Sequence, residues 1–229
     1  MQDTISVSFL GKEKIAKDTW RFLFQKDANF MYQAGQYVSV FLGEDTRDFT
    51  IASSPLEKDK FFLVTKNGKS AFKKNLFALS AGSKVAMKSP TGGFILREEN
   101  TTPLVFLSGG IGITAFHSMI TYAHAKGLTF PITLIASFSK REYMIFQEEL
   151  EKIDAENPLI KIIYTLSQDN WESEKGRISD AHIKKYVRDM HNKIYMITGG
   201  EKMVENTEEL LLSMGIDSSK IRIDIFTGY

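Results

Sequence analysis

Apolar and polar positions alternate with a period of two through most of the first hundred residues. Short β-forming runs fall at residues 5–9, 20–24, 37–41, 61–64 and 85–87, the pattern of half-buried strands. Ala34-Gly35-Gln36, Asn67-Gly68, Ala81-Gly82 and Pro90-Thr91-Gly92-Gly93 punctuate them with turn residues. Only residues 70–79 change period, placing Phe72, Leu76 and Leu79 on one helical face. This half of the chain predicts an antiparallel β-barrel with a single capping helix.

From about residue 101 the pattern is different. Continuous apolar runs at 104–108, 132–137, 160–166, 194–198 and 221–225 alternate with helical periodicity near 114–126, 146–155, 179–188 and 201–214. Apolar strands alternating with helices predict a five-stranded parallel, Rossmann-like α/β sheet. The polar stretch 97–103 separates the halves, giving domains at 1–98 and 101–229. No internal repeat or low-complexity tract interrupts either.

Composition narrows the function. The 229 residues are 43% hydrophobic and 25% charged, ordinary values for a globular protein. With 29 Lys+Arg against 28 Asp+Glu the net charge is +1, which lacks the basic footprint of a nucleic-acid binder. No apolar run reaches the roughly 18 residues of a membrane span. The start of the chain lacks a basic and then apolar leader, so cytoplasmic residence is expected. There is no cysteine, which excludes disulfides, thiolate catalysis and Cys-held zinc or iron–sulfur centres. Any electron carrier must then be organic. His117, His124, His182 and His191 show no ligand spacing, and no metal is expected.

The candidate chemistry starts with residues 104–116, where an apolar strand runs into a glycine turn and then a helix. Gly110-x-Gly112-x-x-Ala115 fits the looser dinucleotide fingerprint in that context. An NAD-selective site carries an acid at the end of the second strand. Here that place holds Ser137-Phe138-Ser139-Lys140-Arg141, hydroxyls and two cations suited to a 2′-phosphate. NADPH is favoured over NADH. Gly68-Lys69-Ser70 looks like the tail of a P-loop, but Leu63 stands where that motif needs glycine, so ATP binding is excluded. A helix N-terminus at Ser70 remains as an anion site. Because strand 221–225 runs parallel to its neighbours, Phe226 and Tyr229 emerge at the sheet's carboxyl edge, where ligands bind.

Taken in order, these motifs resemble the ferredoxin–NADP(H) reductase superfamily over nearly the whole chain. Ala34-Gly35-Gln36-Tyr37 is similar to the family's P-G-Q-[YF], and residues 47–53, Arg-Asp-Phe-Thr-Ile-Ala-Ser, to R-x-Y-S-x-x-S. Gly68-Lys69-Ser70-Ala71-Phe72 resembles the second flavin-phosphate segment, and Ser89-Pro90-Thr91-Gly92 resembles G-P-x-G. Gly109-Gly110-Ile111-Gly112-Ile113-Thr114-Ala115 is similar to G-G-x-G-x-T-P, and Thr198-Gly199-Gly200 stands in place of C-G-P. Phe49 replaces tyrosine, Thr50 serine and Ala115 proline. Thr198 and Gly200 replace the cysteine and proline of the nicotinamide loop.

The resemblance implies FAD as cofactor, with FMN the lesser alternative, and NADPH or NADH as hydride donor. It places Arg47 on the flavin pyrophosphate, where a guanidinium fork suits phosphate oxygens. Phe49, Thr50 and Ile51 would lie along the flavin, with Thr50 near its N5 as a catalytic group. Lys66, Gly68, Ser70, Ala71 and Phe72 would contact the diphosphate. Gly109, Gly110, Gly112, Thr114, Ser137, Lys140, Arg141, Thr198, Gly199, Gly200 and Met203 would hold the nicotinamide nucleotide. Asp224 and Phe226 would join the catalytic centre, Phe226 covering the flavin with Tyr229 second. Lys73, Lys74, Lys84 and Lys88 offer a docking face for an acidic carrier such as ferredoxin or flavodoxin. The implied activity is hydride transfer from NAD(P)H to FAD, followed by electron delivery to a separate protein or small-molecule acceptor. The alternative is a non-catalytic flavin- or nucleotide-binding subunit used for assembly or sensing.

Overall fold

The computed structural model describes residues 4–169 and 174–226. Strands β1 (Thr4–Ala16), β2 (Thr19–Gln25), β3 (Tyr37–Leu42), β4 (Asp45–Thr50), β5 (Lys60–Lys66) and β6 (Lys84–Lys88) form one antiparallel sheet in the order β4-β3-β6-β1-β2-β5. The ends of that order meet: Ile51 bridges Leu63, and Ala52 N donates to Phe62 O at 3.0 Å. Alternation sends Val7 and Phe9, Phe22 and Phe24, Val38 and Val40, and Val85 and Met87 inward. Helix α1 (Ala71–Ala78) closes the barrel with Phe72 and Leu76, and Ser70 caps it by accepting from Lys73 N.

β4 was not legible as a strand. Its sequence, Asp-Thr-Arg-Asp-Phe-Thr, buries only Phe49, because its outward face lines a cavity rather than a second layer. It nevertheless pairs with β3 along its whole length, Tyr37 opposite Thr50 and Val40 opposite Arg47.

The second sheet contains β7 (Leu104–Gly109), β8 (Ile132–Phe138), β9 (Ile160–Leu166), β10 (Glu174–Lys175), β11 (Ile194–Gly200) and β12 (Ile221–Phe226). All its pairs are parallel, in the order β10-β9-β8-β7-β11-β12. It therefore has six strands, not five. The extra one, β10, is two polar residues long and carries no apolar signal. Helices α2 (Ile113–Lys126) and α3 (Gln147–Glu156) pack on one face, α4 (Asp180–Tyr186) and α5 (Glu201–Ser213) on the other. Strand order reverses between β7 and β11, which opens a crevice at their carboxyl ends.

The two sheets share one apolar cluster. Ala34, Ala52, Val64 and Leu96 from the barrel side pack with Phe116, Met119 and Ile120 of α2. Ser118 Oγ donates to Ser53 O at 2.6 Å across the same seam. Among the described residues, no helix is long and apolar enough to cross a membrane.

Candidate functional site

The larger cavity, about 670 Å³, lies between the outward face of β3–β4 and the end of β12. Tyr37 and Ser39 of β3 and Thr46, Asp48 and Thr50 of β4 point into it, with Arg47 at its side. Lys88 and Thr91 come from the end of β6 and the turn after it, and Asp224, Ile225 and Phe226 from β12. Arg47 is half exposed; its Nη1 donates to Thr46 O at 2.7 Å and its Nη2 lies 3.9 Å from Asp45. Burial raises the Asp224 carboxyl above its ordinary value.

Phe49 does not line this cavity. β4 turns its ring inward, where it is buried and stacked on Phe72 at 5.7 Å between centroids. Tyr37 is the aromatic side chain that β3 and β4 offer the cavity. Phe72 is fully buried and has only backbone to offer a ligand. Ser70 Oγ accepts from Lys73 N at 3.2 Å as the helix cap, a bond that does not use its O–H. Lys73 Nζ, bonded to Thr65 Oγ1, sits 5.4 Å from the Phe49 ring centroid. Burial first, and then the Arg47 charge, lower its pKa to about 8. Lys84 Nζ donates to Ser8 Oγ at 2.8 Å. Lys73 is thus half hidden, and Lys88 lines the larger cavity.

A second cavity of about 370 Å³ opens at the carboxyl ends of β7, β8 and β9. Gly109, Ser137, Phe138, Ser139 and Ser167 form its floor, with Met203, Asn206 and Thr207 of α5 on one side. Two cations line it, Arg177 and Lys202. Lys140 and Arg141 are not among its lining residues, and Arg141 N donates to Asp169 Oδ2 at 2.8 Å. Lys66 lies between the halves, lining a small gap with Gly110, Ile111 and Tyr143.

The glycine turn separates into two jobs. Gly110 has φ +55° and open space where a Cβ would be, leaving its backbone approachable. A Cβ on Gly112 would sit 2.5 Å from Thr198 O, so this glycine lets the start of α2 press against β11. Thr114 is buried and donates to Ile111 O at 3.0 Å, holding the turn rather than facing a ligand. A Cβ on Gly109 would meet Met203 at 2.8 Å. Gly200 caps α5.

A polar row crosses three strands near the carboxyl ends of the parallel sheet. Ser108, Thr198 and Asp224 are in register on β7, β11 and β12. Ser108 Oγ and Thr198 Oγ1 are buried without a hydrogen-bond partner among the described residues. Buried unpaired hydroxyls are costly, and a carboxamide or flavin edge arriving at the crevice would relieve that cost. Phe226 closes the row's outer end beside Asp224, while Tyr229 lies outside the described residues.

Two family models match the chain, an oxidoreductase FAD-binding domain over residues 6–95 and an oxidoreductase NAD-binding domain over residues 106–209. The chain belongs to the ferredoxin–NADP(H) reductase superfamily. The reductase component DmpP of phenol 2-monooxygenase from Pseudomonas sp. is 31% identical over 163 residues, covering 68% of this chain and 46% of that protein. The chain thus spans about half that relative's length. The fold superposes on the Amycolatopsis cytochrome P450 reductase GcoB with a TM-score of 0.88 at 21% identity, covering 100% of this chain and 72% of the other. A ferredoxin NADP+ reductase from Neisseria gonorrhoeae with bound FAD and NADP gives a TM-score of 0.85 at 17% identity, covering 98% and 99%. Within this superfamily, the first half of the chain is the FAD-binding domain and the second the NAD-binding domain. The first cavity suits FAD: a guanidinium at its side, hydroxyls from Ser39 and Thr50, and an aromatic wall at each end.

Proposed function

We propose that this chain is an FAD-dependent NAD(P)H oxidoreductase that delivers electrons to a separate acceptor. The observation that carries the reading is the larger cavity, which sets the outward face of β3–β4 against residues 224–226 at the carboxyl end of β12, the edge strand of the parallel sheet. Bound FAD supplies a hydride acceptor that can release electrons singly.

The chain's own residues do the rest. Arg47 holds the pyrophosphate, a bidentate task that lysine would do poorly. Thr50 would present its hydroxyl to a bound flavin, and Tyr37 and Phe226, which line the same cavity, would flank it. Phe226 would have to move aside to admit a nicotinamide. Thr198 and Ser108 orient the carboxamide, and the shape of the crevice excludes water from the transfer. Holding donor and acceptor in this geometry is the main catalytic contribution. Gly110, with its open backbone, meets the nucleotide's phosphates.

Nucleotide choice rests on the second cavity. Arg177 and Lys202 with Ser137 and Ser139 form a pocket for a 2′-phosphate, so NADPH is the preferred donor. This assignment replaces Lys140 and Arg141, which lie outside the lining. The acceptor is a partner oxygenase component or a ferredoxin-type protein, in keeping with the phenol monooxygenase relative. An iron–sulfur centre in that path lies outside these 229 residues, which contain no cysteine.

The test is the visible spectrum of the purified protein, followed by anaerobic addition of NADPH and NADH separately. A yellow protein bleached faster by NADPH is expected. A protein that takes up neither FAD nor FMN overturns the reading. For the nucleotide, Arg177→Glu should raise KM for NADPH at least about tenfold, the equivalent of one lost charged hydrogen bond, and leave KM for NADH within about twofold.

A further inference from the structure

The reductase reading leaves one buried titratable group unused. His117, on the second turn of α2, is 3% exposed. Its ring stacks on Phe146 at 3.9 Å between centroids, with Phe62 at 5.8 Å on the barrel side. Both nitrogens are engaged. Nδ1 lies 2.7 Å from the carbonyl oxygen of Ala52, and Nε2 lies 2.6 Å from Glu149 Oε2 on α3.

A backbone carbonyl can only accept a hydrogen bond, and an ionised carboxylate can only accept. Glu149 is ionised on grounds independent of the ring: its side chain is half exposed and its other oxygen, Oε1, accepts from the permanently charged Arg21 at 2.7 Å. Both ring nitrogens must therefore donate, and only the imidazolium has two N–H groups. A neutral ring would leave a nitrogen lone pair facing an oxygen lone pair at hydrogen-bond distance.

The other charged groups around the ring complete the balance. Arg21 of β2 places Nη2 2.7 Å from Glu149 Oε1 and Nη1 3.1 Å from Glu13 of β1. Its guanidinium lies 4.4 Å from the Phe62 centroid and 5.5 Å from that of Phe146. Two cations and two carboxylates thus meet around two aromatic rings at the seam between the FAD-binding and NAD-binding halves.

The position matters more than the charge count. Ala52 lies two residues beyond Thr50, and its N–H is already tied to Phe62 O of β5. The next carbonyl, Ser53 O, accepts from Ser118 of α2. So α2, which begins at the glycine turn, grips consecutive carbonyls just past the flavin motif. A shift of about 1 Å between reacting groups costs about 100-fold in rate.

We propose that His117, held as an imidazolium, is a positioning residue that fixes the flavin motif at residues 50–52 against the nucleotide turn at residues 109–112, so that flavin reduction by nicotinamide slows as this buried proton is lost. The inference rests on the reductase reading for its kinetic part and on geometry alone for the state of the ring.

The experiment has two arms. In the first, the ring of His117 is observed by NMR in isotope-labelled protein near neutral pH, with or without nucleotide. Two ring N–H signals are expected. A single one overturns the proposal whatever the protein's activity. In the second, the anaerobic rate of flavin reduction is followed from about pH 6 to about pH 10. The wild-type rate should fall with rising pH. In Glu149→Gln, which removes the anion stabilising the imidazolium, the fall should move to lower pH. His117→Gln should reduce its flavin about 10- to 100-fold more slowly at neutral pH, with flavin content retained and the pH step gone. A flat wild-type profile, or an unmoved step in Glu149→Gln, overturns the positioning role even if His117→Gln fails to fold. A wild-type protein that binds flavin but is not reduced by either nucleotide refutes the reductase reading and leaves the NMR arm to decide the state of the ring.

Discussion

Arg47 and Thr198 illustrate two kinds of single-residue effect. Arg47 is half exposed with one weak ion pair, so the free protein makes little use of its charge. Replacing it with alanine should leave folding intact and weaken flavin binding about 10- to 100-fold, the scale of a lost hydrogen bond to a charged group. Flavin retained in full through purification would refute its assigned role. Thr198 is the opposite case. Its hydroxyl is sealed and unpaired among the described residues, so Thr198→Val should stabilise the ligand-free protein by about 1 kcal/mol, read as a rise in Tm, while slowing reduction by NAD(P)H. Arg47 was legible because a motif surrounds it. Tyr37, Arg177 and Lys202 were less so. Tyr37 could have been found from strand alternation, since it faces the same way as Ser39. Arg177 reaches the second cavity from the loop between β10 and α4 and Lys202 from α5, and nothing local marks either one.

The elements most exposed to test are the glycine turn and the start of α2. A methyl group on Gly112 would collide with backbone atoms of residues 198 and 199, which cannot swing aside like a side-chain end. Gly112→Ala should therefore cost about 1–3 kcal/mol, as overpacking does, measured by denaturant unfolding. Gly110→Ala meets no atom within 4 Å but keeps φ at +55°, a strain of about 1 kcal/mol. Its larger effect should be on nucleotide affinity. The long apolar strands and helices were readable because they repeat one period over many residues. β4 and β10 were not. The first has an outward face shaped by a cavity, and the second is held by two polar residues paired with β9.

For the whole molecule, the seam between the halves contributes to behaviour in acid. Glu149 has its pKa lowered to about 2 by His117 and Arg21, below the value it would have in an unfolded chain. Its stabilising contribution is therefore fully present above about pH 4.5 and is lost as pH falls toward about 2. Glu149→Gln should be less stable than wild type at neutral pH, with the difference narrowing through that acid window, as followed by thermal unfolding. Because one apolar cluster spans both sheets, the two halves should unfold together in a single transition. The order of the two halves was plain in the sequence, since each has its own periodicity. The seam was not. His117 and Ala52 are 65 residues apart, and no periodic pattern links a helix on one side to a carbonyl on the other.

The sealed threonine in the crevice also makes this protein a convenient chemical reporter. With no other sulfhydryl in the 229 residues, a Thr198→Cys variant would carry one alkylation site, buried where the nicotinamide is assigned. Its rate of labelling by a small maleimide would measure how often the crevice opens. Protection by NADP+ but not by free adenosine phosphates would show which end of the nucleotide closes it. Opening and occupancy could then be read without turnover, from a single covalent mark.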